Sequence, residues 1–255
     1  WLFQGFAMRR CNSVALGGLL LAFTTPAMAS CQDPPKARVD WTGCHKPQLM
    51  LGNDDLTGAV FAKASLNGTD FTGTKLAGAK LVEAELGFVK FAGADLSGAD
   101  FTKAVAWRAN FTKAKLEKAN FTTAQTSRSL FVQALLAGAN FSKSEVNRSD
   151  FSGADLSGAD MSKAELARAN FTNANLAGVK FEDSNLGRAR LNGLDLSGVH
   201  LGGAHLFRTQ LRGTNLSAAV GLNQGQLDIA CGGPDTKLPA GLSPPKSWPC
   251  ADEDE

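Results

Sequence analysis

The sequence contains no tyrosine, only three histidines and only five cysteines in 255 residues. The histidines stand at positions 45, 200 and 205, which leaves little material for acid–base or metal chemistry. The formal net charge is only +2, so bulk charge gives no reason to expect nucleic-acid binding. Hydrophobic residues nevertheless make up 44% of the chain, which is too many for a disordered protein. We therefore expect a folded chain with few candidates for catalysis.

The sequence also lacks a mature membrane-spanning segment, because the apolar stretch at residues 14–23 is too short to cross a bilayer. Met8, Arg9 and Arg10 precede this stretch, and Ala27-Met28-Ala29 follow it. A basic start, a short apolar segment and an A-x-A site are typical of a secretory signal peptide. We predict that residues 1–29 are a leader and signal peptide, and that the mature protein is periplasmic or secreted.

Four cysteines remain after the predicted cleavage, and an even number in an exported protein favours disulfides. Local pairing would join Cys31 to Cys44 and Cys231 to Cys250, although four cysteines allow three connectivities. The residues before Cys31 also form an imperfect lipobox, so a lipid anchor at Cys31 stays open as the alternative. No C-x-x-C spacing indicates a zinc site.

A five-residue repeat runs without insertion through residues 54–218 and comprises 33 units. The central residue of most units is Leu or Phe, as at Leu56, Phe61 and Leu66. Two positions before each centre lies a small residue, mostly alanine, and polar residues fill the positions between. The repeat therefore determines the architecture of about two-thirds of the chain.

A period of five excludes both ordinary secondary structures. Five residues turn an α-helix by about 140° beyond a full turn, which spreads the apolar centres around the axis. On a straight strand, steps of about 180° per residue would send successive centres to opposite faces. A chain that bends after every unit can point all centres inward, so we predict stacked coils with short sides.

Two longer periods give the number of sides in each coil. Eleven of the 13 centres between Phe61 and Phe181 in steps of ten are Phe, and the interleaved centres contain none, which requires an even number of sides. Arginine recurs every 20 residues, which indicates four sides of five residues. Phe would then line two opposite walls and Leu the other two. The 33 units make about eight coils, a rod roughly 40 Å long.

The A-(D/N)-(L/F)-x-x pattern, seen in Ala154-Asp155-Leu156-Ser157-Gly158, resembles the pentapeptide-repeat family. The chain is identified as an exported bacterial member by the end sequences Val39-Asp40-Trp41-Thr42-Gly43-Cys44 and Gln226-Leu227-Asp228-Ile229-Ala230-Cys231-Gly232, which are similar to those of such members. The resemblance implies an all-β fold: a right-handed, four-sided β-helix solenoid.

The ends are expected to cap this solenoid, because terminal coils expose apolar cross-sections and unpaired backbone groups. We assign residues 30–53 to an N-terminal cap, residues 54–218 to the β-helix, and residues 219–255 to a C-terminal cap and acidic tail. Asn223 and Gln226 suit a capped helix start, and Gly232-Gly233-Pro234 suits its stop. Leu222, Leu227 and Ala230 would then close the last coil.

We expect no enzyme and no cofactor. The sequence has no nucleophile elbow, phosphate-binding loop, HExxH or paired metal-ligand motif. His200 and His205 occupy outward positions on adjacent sides without a nearby cysteine or a clear carboxylate partner, so we interpret them as exposed polar residues. The repeated aspartates Asp95, Asp100, Asp155 and Asp160 fill the same outward position and receive no acid–base role.

The candidate partner-binding residues are six aligned arginines together with two nearby aromatic residues. Phe88 precedes Arg108 by one coil, and Trp107 is its neighbour in sequence. Arginine with exposed aromatic residues is a composition typical of binding hot spots. Duplication of a 20-residue unit would produce the same pattern without selecting a site, so both interpretations stay open. The column, called the Arg column below, comprises Arg108, Arg128, Arg148, Arg168, Arg188 and Arg208.

The wall that carries this column has unusually small centres at Ala106, Thr126 and Val146. Such side chains would underfill the interior or draw the wall inward. Glu145 and Glu165 are placed three positions before arginines of the column and are expected to offset part of its charge.

Two classes of function follow. The first is an exported, non-catalytic scaffold that binds a protein partner or organises the cell envelope, and the second is a binder of an anionic envelope polymer. The best-known branch of the family mimics DNA and protects topoisomerase from quinolones. We do not expect DNA mimicry here, because residues 49–217 carry 19 basic and 16 acidic residues and the signal peptide directs export. Homo-oligomerisation through the coil ends stays open.

Overall fold

The computed structural model describes residues 30–250, and its main feature is a ladder of parallel bridges between successive coils. Asp40 bridges to Val60, and the same offset of 20 residues continues as far as the bridge from His200 to Val220. One coil therefore contains 20 residues, and a turn after every five divides it into four sides. The bridged pattern starts at Asp40, inside the segment 30–53 that we assigned to the N-terminal cap. The predicted leader and signal peptide lie outside the described residues.

The β character of each side is limited to one bridged residue. Because a turn follows every bridge, no strand within residues 30–250 is longer than an isolated bridge. The described residues contain one helix, α1 (Gln224–Asp228). Within the same residues, we find no helix with the length and apolar composition needed to cross a membrane.

A β-turn at each corner explains why the repeat has five residues. In a representative unit the Ala59 amide donates to the Leu56 carbonyl at 3.0 Å, and Gly58 has φ +66°. A hydrogen bond across four residues with a left-handed third residue is the pattern of a type II turn. The turn redirects the chain so that Phe61 points inward as Leu56 does, and both are fully buried.

The core consists of ladders of similar side chains stacked from coil to coil. Phe111 and Phe131 stack across coils with ring centroids 4.7 Å apart, whereas Phe131 meets Phe141 of the other Phe wall edge to face at 5.6 Å. Both arrangements are favourable for aromatic pairs. Burial of each such side chain contributes about 2 kcal/mol. Coils of 20 residues with alternating Phe and Leu walls are confirmed.

Asp and Asn before the centre fasten the turns. Asp55 Oδ1 accepts the Thr57 amide at 3.0 Å, and Asn110 Oδ1 accepts the Thr112 amide at 3.0 Å. This Asx geometry is the physical reason for the repeated D/N position. Side-chain and backbone hydrogen bonds from Thr57 lower the pKa of Asp55, and equivalent bonds from Thr72 and Ser197 lower the pKa of Asp70 and Asp195.

The C-terminal cap closes the last coil through α1. Asn223 and Gln226 form the predicted capping box, and the Gln226 Nε2 donates to the Leu201 and Ala204 carbonyls at 2.7 and 2.9 Å. Leu227 and Ala230 are buried as predicted. The helix ends earlier than the expected stop at Gly232-Gly233-Pro234, because Cys231 already bridges to Gln210 and returns the chain to the ladder.

Both ends are held by disulfides, which pair Cys31 with Cys44 and Cys231 with Cys250. At the N-terminal end, Trp41 is buried with its ring centroid 5.5 Å from that of Phe61, and it covers the end of this Phe wall.

The wall with small centres is reinforced by buried hydroxyls. Ser129 Oγ donates to the Ala106 carbonyl at 2.9 Å and accepts the Ala109 amide at 3.0 Å. Ser149 repeats the contact with the Thr126 carbonyl at 2.9 Å. The hydroxyl of Thr126 is itself buried, and no hydrogen-bond partner lies within reach among residues 30–250. Underfilled centres are thus accompanied by polar contacts between coils.

Candidate partner-binding surface

The Arg column runs along one corner of the solenoid, because each of its arginines is the third residue of a turn. Their φ angles lie between 54° and 62°. The Arg128 amide donates to the Asn147 carbonyl at 2.9 Å, and the Arg148 amide donates to the Ala167 carbonyl at 2.9 Å. These bonds keep successive turns in register. The six side chains therefore start from equivalent points about 4.8 Å apart, the spacing of neighbouring strands.

Glycine can fill this turn position, as the opposite corner demonstrates. There the same position is occupied by seven glycines with φ between 64° and 76°. A left-handed conformation costs a residue with a side chain about 1 kcal/mol or more. The fold therefore has no need of arginine at these positions. The seven residues are Gly58, Gly78, Gly98, Gly138, Gly158, Gly178 and Gly198.

Three central arginines of the Arg column differ in charge pairing from the lysines of a neighbouring corner. On that corner, Lys63 and Lys103 each lie 3.7 Å from a carboxylate oxygen of Glu83. Within residues 30–250, Arg128, Arg148 and Arg168 form no ion pair.

The two glutamates expected to offset the Arg column do not do so. Within the described residues, Glu145 and Glu165 form no ion pair with Arg148 or Arg168. Glu165 instead accepts from Asn185 Nδ2 at 2.8 Å. Glu165 is itself the bridged residue of its side, and its side chain bonds along the ladder of outward residues.

An aromatic cluster stands at the N-terminal end of the Arg column. Phe88 and Trp107 meet edge to face with centroids 4.3 Å apart, and Arg108 Cζ lies 5.7 Å from the Phe88 centroid. Both rings remain exposed, at 49% for Phe88 and 42% for Trp107. The structure thus brings together the three residues that the sequence placed near one another.

Sequence reasoning missed the residue that makes room for this cluster. Trp107 lies over Gly87, where an added Cβ would stand 3.0 Å from the indole Nε1. The signal was a glycine at the second turn position, where the left-handed turn does not require one. Gly187 precedes Phe207 in the same relation, one coil apart.

A second aromatic residue marks the C-terminal end of the Arg column. Phe207 is 44% exposed, and Arg208 Cζ lies 5.9 Å from its centroid. His205 stacks on the other side at 6.2 Å. The column is therefore flanked by exposed aromatic residues five coils apart, about 24 Å along the axis.

A cavity of about 550 Å³ opens at this C-terminal end, and no sequence pattern indicates it. Phe207, Arg208 and Arg212 contribute from the last coils, and Ile229 and Cys250 contribute from the cap. The Arg208 amide donates to the Ile229 carbonyl at 2.6 Å, which joins the end of the column to the cap. The cap residues lie outside the five-residue register, so no spacing could place them beside the column.

His200 has a carboxylate neighbour, Glu182, contrary to the expectation from the sequence. His200 Nδ1 lies 3.1 Å from Glu182 Oε1. Across residues 30–250, no group of three His, Cys, Asp or Glu side chains is arranged to hold a metal ion. Asp95, Asp100, Asp155 and Asp160 each accept the backbone amide two residues on, which is a structural role in the turn.

These features define a capped repeat solenoid that displays side chains on a rigid frame. Models of the pentapeptide repeats (8 copies) match residues 55–87, 90–124 and 184–220, and the pentapeptide repeat region model matches residues 124–201. The chain belongs to the pentapeptide-repeat family, whose members are generally non-catalytic structural or interaction proteins.

Solved structures of the same family are similar to this chain. HetL, a pentapeptide repeat protein involved in heterocyst differentiation regulation from the cyanobacterium Nostoc sp. Strain PCC 7120, is 26% identical, with 80% of this chain and 91% of that chain covered and a TM-score of 0.45. Full-length QnrB1, a plasmid-mediated fluoroquinolone resistance protein, is 17% identical over 77% and 94% of the two chains, with a TM-score of 0.43. A comparison with proteins of curated function found no match.

Proposed function

We propose that the chain is a non-catalytic interaction scaffold that binds an anionic partner surface through the Arg column and the Phe88–Trp107 cluster. The observation that carries this proposal is the alignment of six like charges at a turn position that glycine fills on the opposite corner. The fold does not need these arginine side chains. Because they repeat in register, they form a charged edge along one corner of the solenoid. Exposed aromatic rings beside arginine add the apolar contact area that is common in protein hot spots.

The first candidate partner is another protein of the cell envelope that has an acidic surface. Like charges about 5 Å apart repel one another, and an acidic partner relieves this repulsion while it gains several charge-assisted hydrogen bonds. The bridges hold the backbone of the column in place, so little backbone entropy is lost in the scaffold on binding.

Partner capture from the envelope fraction tests the proposal, with the triple variant R128G/R148G/R168G against the unmodified chain. The matched control is K103G/K143G/K163G, which removes three charges from the same turn position on the neighbouring corner. We expect the Arg variant to lose the captured protein and the Lys variant to keep it. Equal loss in both variants would mean that net charge alone is responsible.

The regular spacing of the column favours a second candidate, a linear anionic polymer of the envelope. A polymer that follows the corner would contact successive arginines over about 24 Å. Binding of long-chain polyphosphate should then weaken steeply with salt, and removal of three arginines should lower the log–log slope by about two. A flat salt response excludes the polymer and leaves the protein partner.

We further infer that the mature protein acts in the periplasm or outside the cell. The predicted signal peptide supports export, and disulfides at both ends are typical of an oxidising compartment. Cell fractionation together with the intact mass of the mature chain distinguishes a soluble exported protein from one lipidated at Cys31.

The proposal includes a right-handed coil, as the family resemblance implies, and excludes DNA mimicry. A DNA mimic needs an acidic surface, and the Arg column presents the opposite charge. We do not propose homo-oligomerisation through the C-terminal coil end, because Leu227 and Ala230 cover it.

A further inference from the structure

The cavity at the C-terminal end of the Arg column is a basic pocket with an apolar wall. Arg208 and Arg212 lie on it together with Phe207 and Ile229. Asp228 also lines the cavity, and its Oδ1 already accepts from Gln224 Nε2 at 2.9 Å. The arrangement suits an occupant with several carboxylates.

The chain itself carries such an occupant directly after the cavity wall. Cys250 lines the cavity, and two contacts fix it there: the disulfide to Cys231 and a hydrogen bond of 2.7 Å from Arg212 Nη2 to its carbonyl. The next five residues are Ala-Asp-Glu-Asp-Glu, so four carboxylates follow in succession. They lie outside the described residues.

The length of this segment limits what it can reach. Five extended residues span roughly 17 Å. Arg208 shares the cavity with Cys250, and Arg188 is one coil further, about 5 Å away. Arg108 is five coils from Arg208, about 24 Å, and lies beyond the reach of the segment.

We propose that residues 252–255 dock in this cavity and cover the C-terminal end of the Arg column, so that a partner must displace them. Charge complementarity and tethering at Cys250 both favour this occupant over a separate molecule. The tether gives the carboxylates a local concentration in the roughly millimolar range. The competition between the tail and a partner rests on the proposed function. Docking of the tail does not, because it can be measured without any partner.

Carbodiimide cross-linking tests the docking directly. Arginine does not form an amide with an activated carboxylate, but lysine does, so R208K places a reactive amine in the cavity and R108K places one beyond reach. We expect peptide mass spectrometry to find residues 252–255 linked to residue 208 in monomeric R208K, with the link suppressed in high salt. No link at position 208, an equal link in R108K, or a link found only in dimers would overturn the proposal.

A binding measurement tests the competition with the tail neutralised as D252N/E253Q/D254N/E255Q. Polyphosphate should bind this variant several-fold more tightly than the unmodified chain at low salt. The matched control D95N/D100N/D155N/D160N removes four carboxylates at turn positions that accept Asn elsewhere in the repeat, as at Asn110. Equal tightening in both variants would show that net charge is responsible and would overturn the competition. Absence of polyphosphate binding in every variant would contradict the polymer candidate, while the cross-link still decides the docking.

Discussion

The indole of Trp107 lies over the backbone of Gly87, close enough that a Cβ on residue 87 would stand 3.0 Å from Nε1 and 3.1 Å from Cε2. The same Cβ would approach Asn67 Oδ1, which accepts the Gly87 amide at 2.7 Å. Gly87 is therefore a spacer that lets an exposed ring settle on the preceding coil, beside Phe88.

We expect G87A to displace Trp107 and to weaken partner binding with little loss of stability. The contacted indole edge can move outward, so the free energy of unfolding should fall by less than about 1 kcal/mol. Fluorine NMR of fluorotryptophan-labelled protein should show a shift of the Trp107 resonance, with Trp41 and Trp248 unchanged.

The matched control for this variant is G202A. Gly202 is the second residue of its turn, as Gly87 is, and an added Cβ there meets no atom within 4 Å. An unshifted Trp107 resonance in G87A, or equal shifts in both variants, would contradict the spacer role.

Replacing an arginine of the column by glycine should separate binding from stability. We expect R168G to keep or raise the free energy of unfolding, by up to about 1 kcal/mol, because the left-handed φ of 61° is unfavourable for a side chain. The neighbouring A167G should instead lower it by about 0.5–1 kcal/mol, because φ at residue 167 is not left-handed. Chemical denaturation measures both, and a clear loss of stability in R168G would assign the column a structural role.

The sequence predicts the interior of this protein better than its surface chemistry. Every buried centre, such as Phe111 or Leu116, is constrained by two periods at once, and small deviations such as Met161 do not disturb the register. The seven glycines of the opposite corner stand at the same position of the repeat as Arg108. The left-handed turn could therefore also be predicted from the sequence. That position already implied a corner, whereas we placed the Arg column on a wall.

The C-terminal cavity could not be predicted because its wall combines residues of the repeat with residues of the cap. Arg208 and Arg212 belong to the repeat, but Ile229 and Cys250 belong to a cap with no fixed spacing. The ladder itself changes there, since Gln210 pairs with Cys231 at an offset of 21 and Asn215 pairs with Lys237 at 22. Such offsets depend on how α1 packs on the last coil, which is a property of the folded structure.

Acid should destabilise the solenoid through its Asx turns. Hydrogen bonds from Thr57, Thr72 and Ser197 hold the pKa values of Asp55, Asp70 and Asp195 below the ordinary 3.8. A lowered native pKa means that this stabilisation is complete above pH 3.8 and is lost as the pH falls through the native pKa.

The variant D55N/D70N/D195N should therefore show a shallower loss of stability below about pH 4, because Asn does not titrate. Asn keeps the turn, as the 3.1 Å bond from the Thr122 amide to Asn120 Oδ1 shows. Thermal unfolding between neutral pH and about pH 2 measures the effect. Identical acid profiles for the variant and the unmodified chain would rule out these carboxylates as the cause.

The buried hydroxyl of Thr126 should be dispensable, unlike that of Thr209. Within the described residues, Thr126 Oγ1 has no hydrogen-bond partner, whereas Thr209 Oγ1 donates to the Leu186 carbonyl at 2.7 Å. T126V removes a buried polar atom without changing the shape of the side chain, so we expect it to raise the free energy of unfolding by about 1 kcal/mol. T209V removes a satisfied bond and should lower it by about 1 kcal/mol. Urea denaturation of both variants makes the comparison, and destabilisation of T126V as large as that of T209V would mean that the Thr126 hydroxyl is bonded in solution.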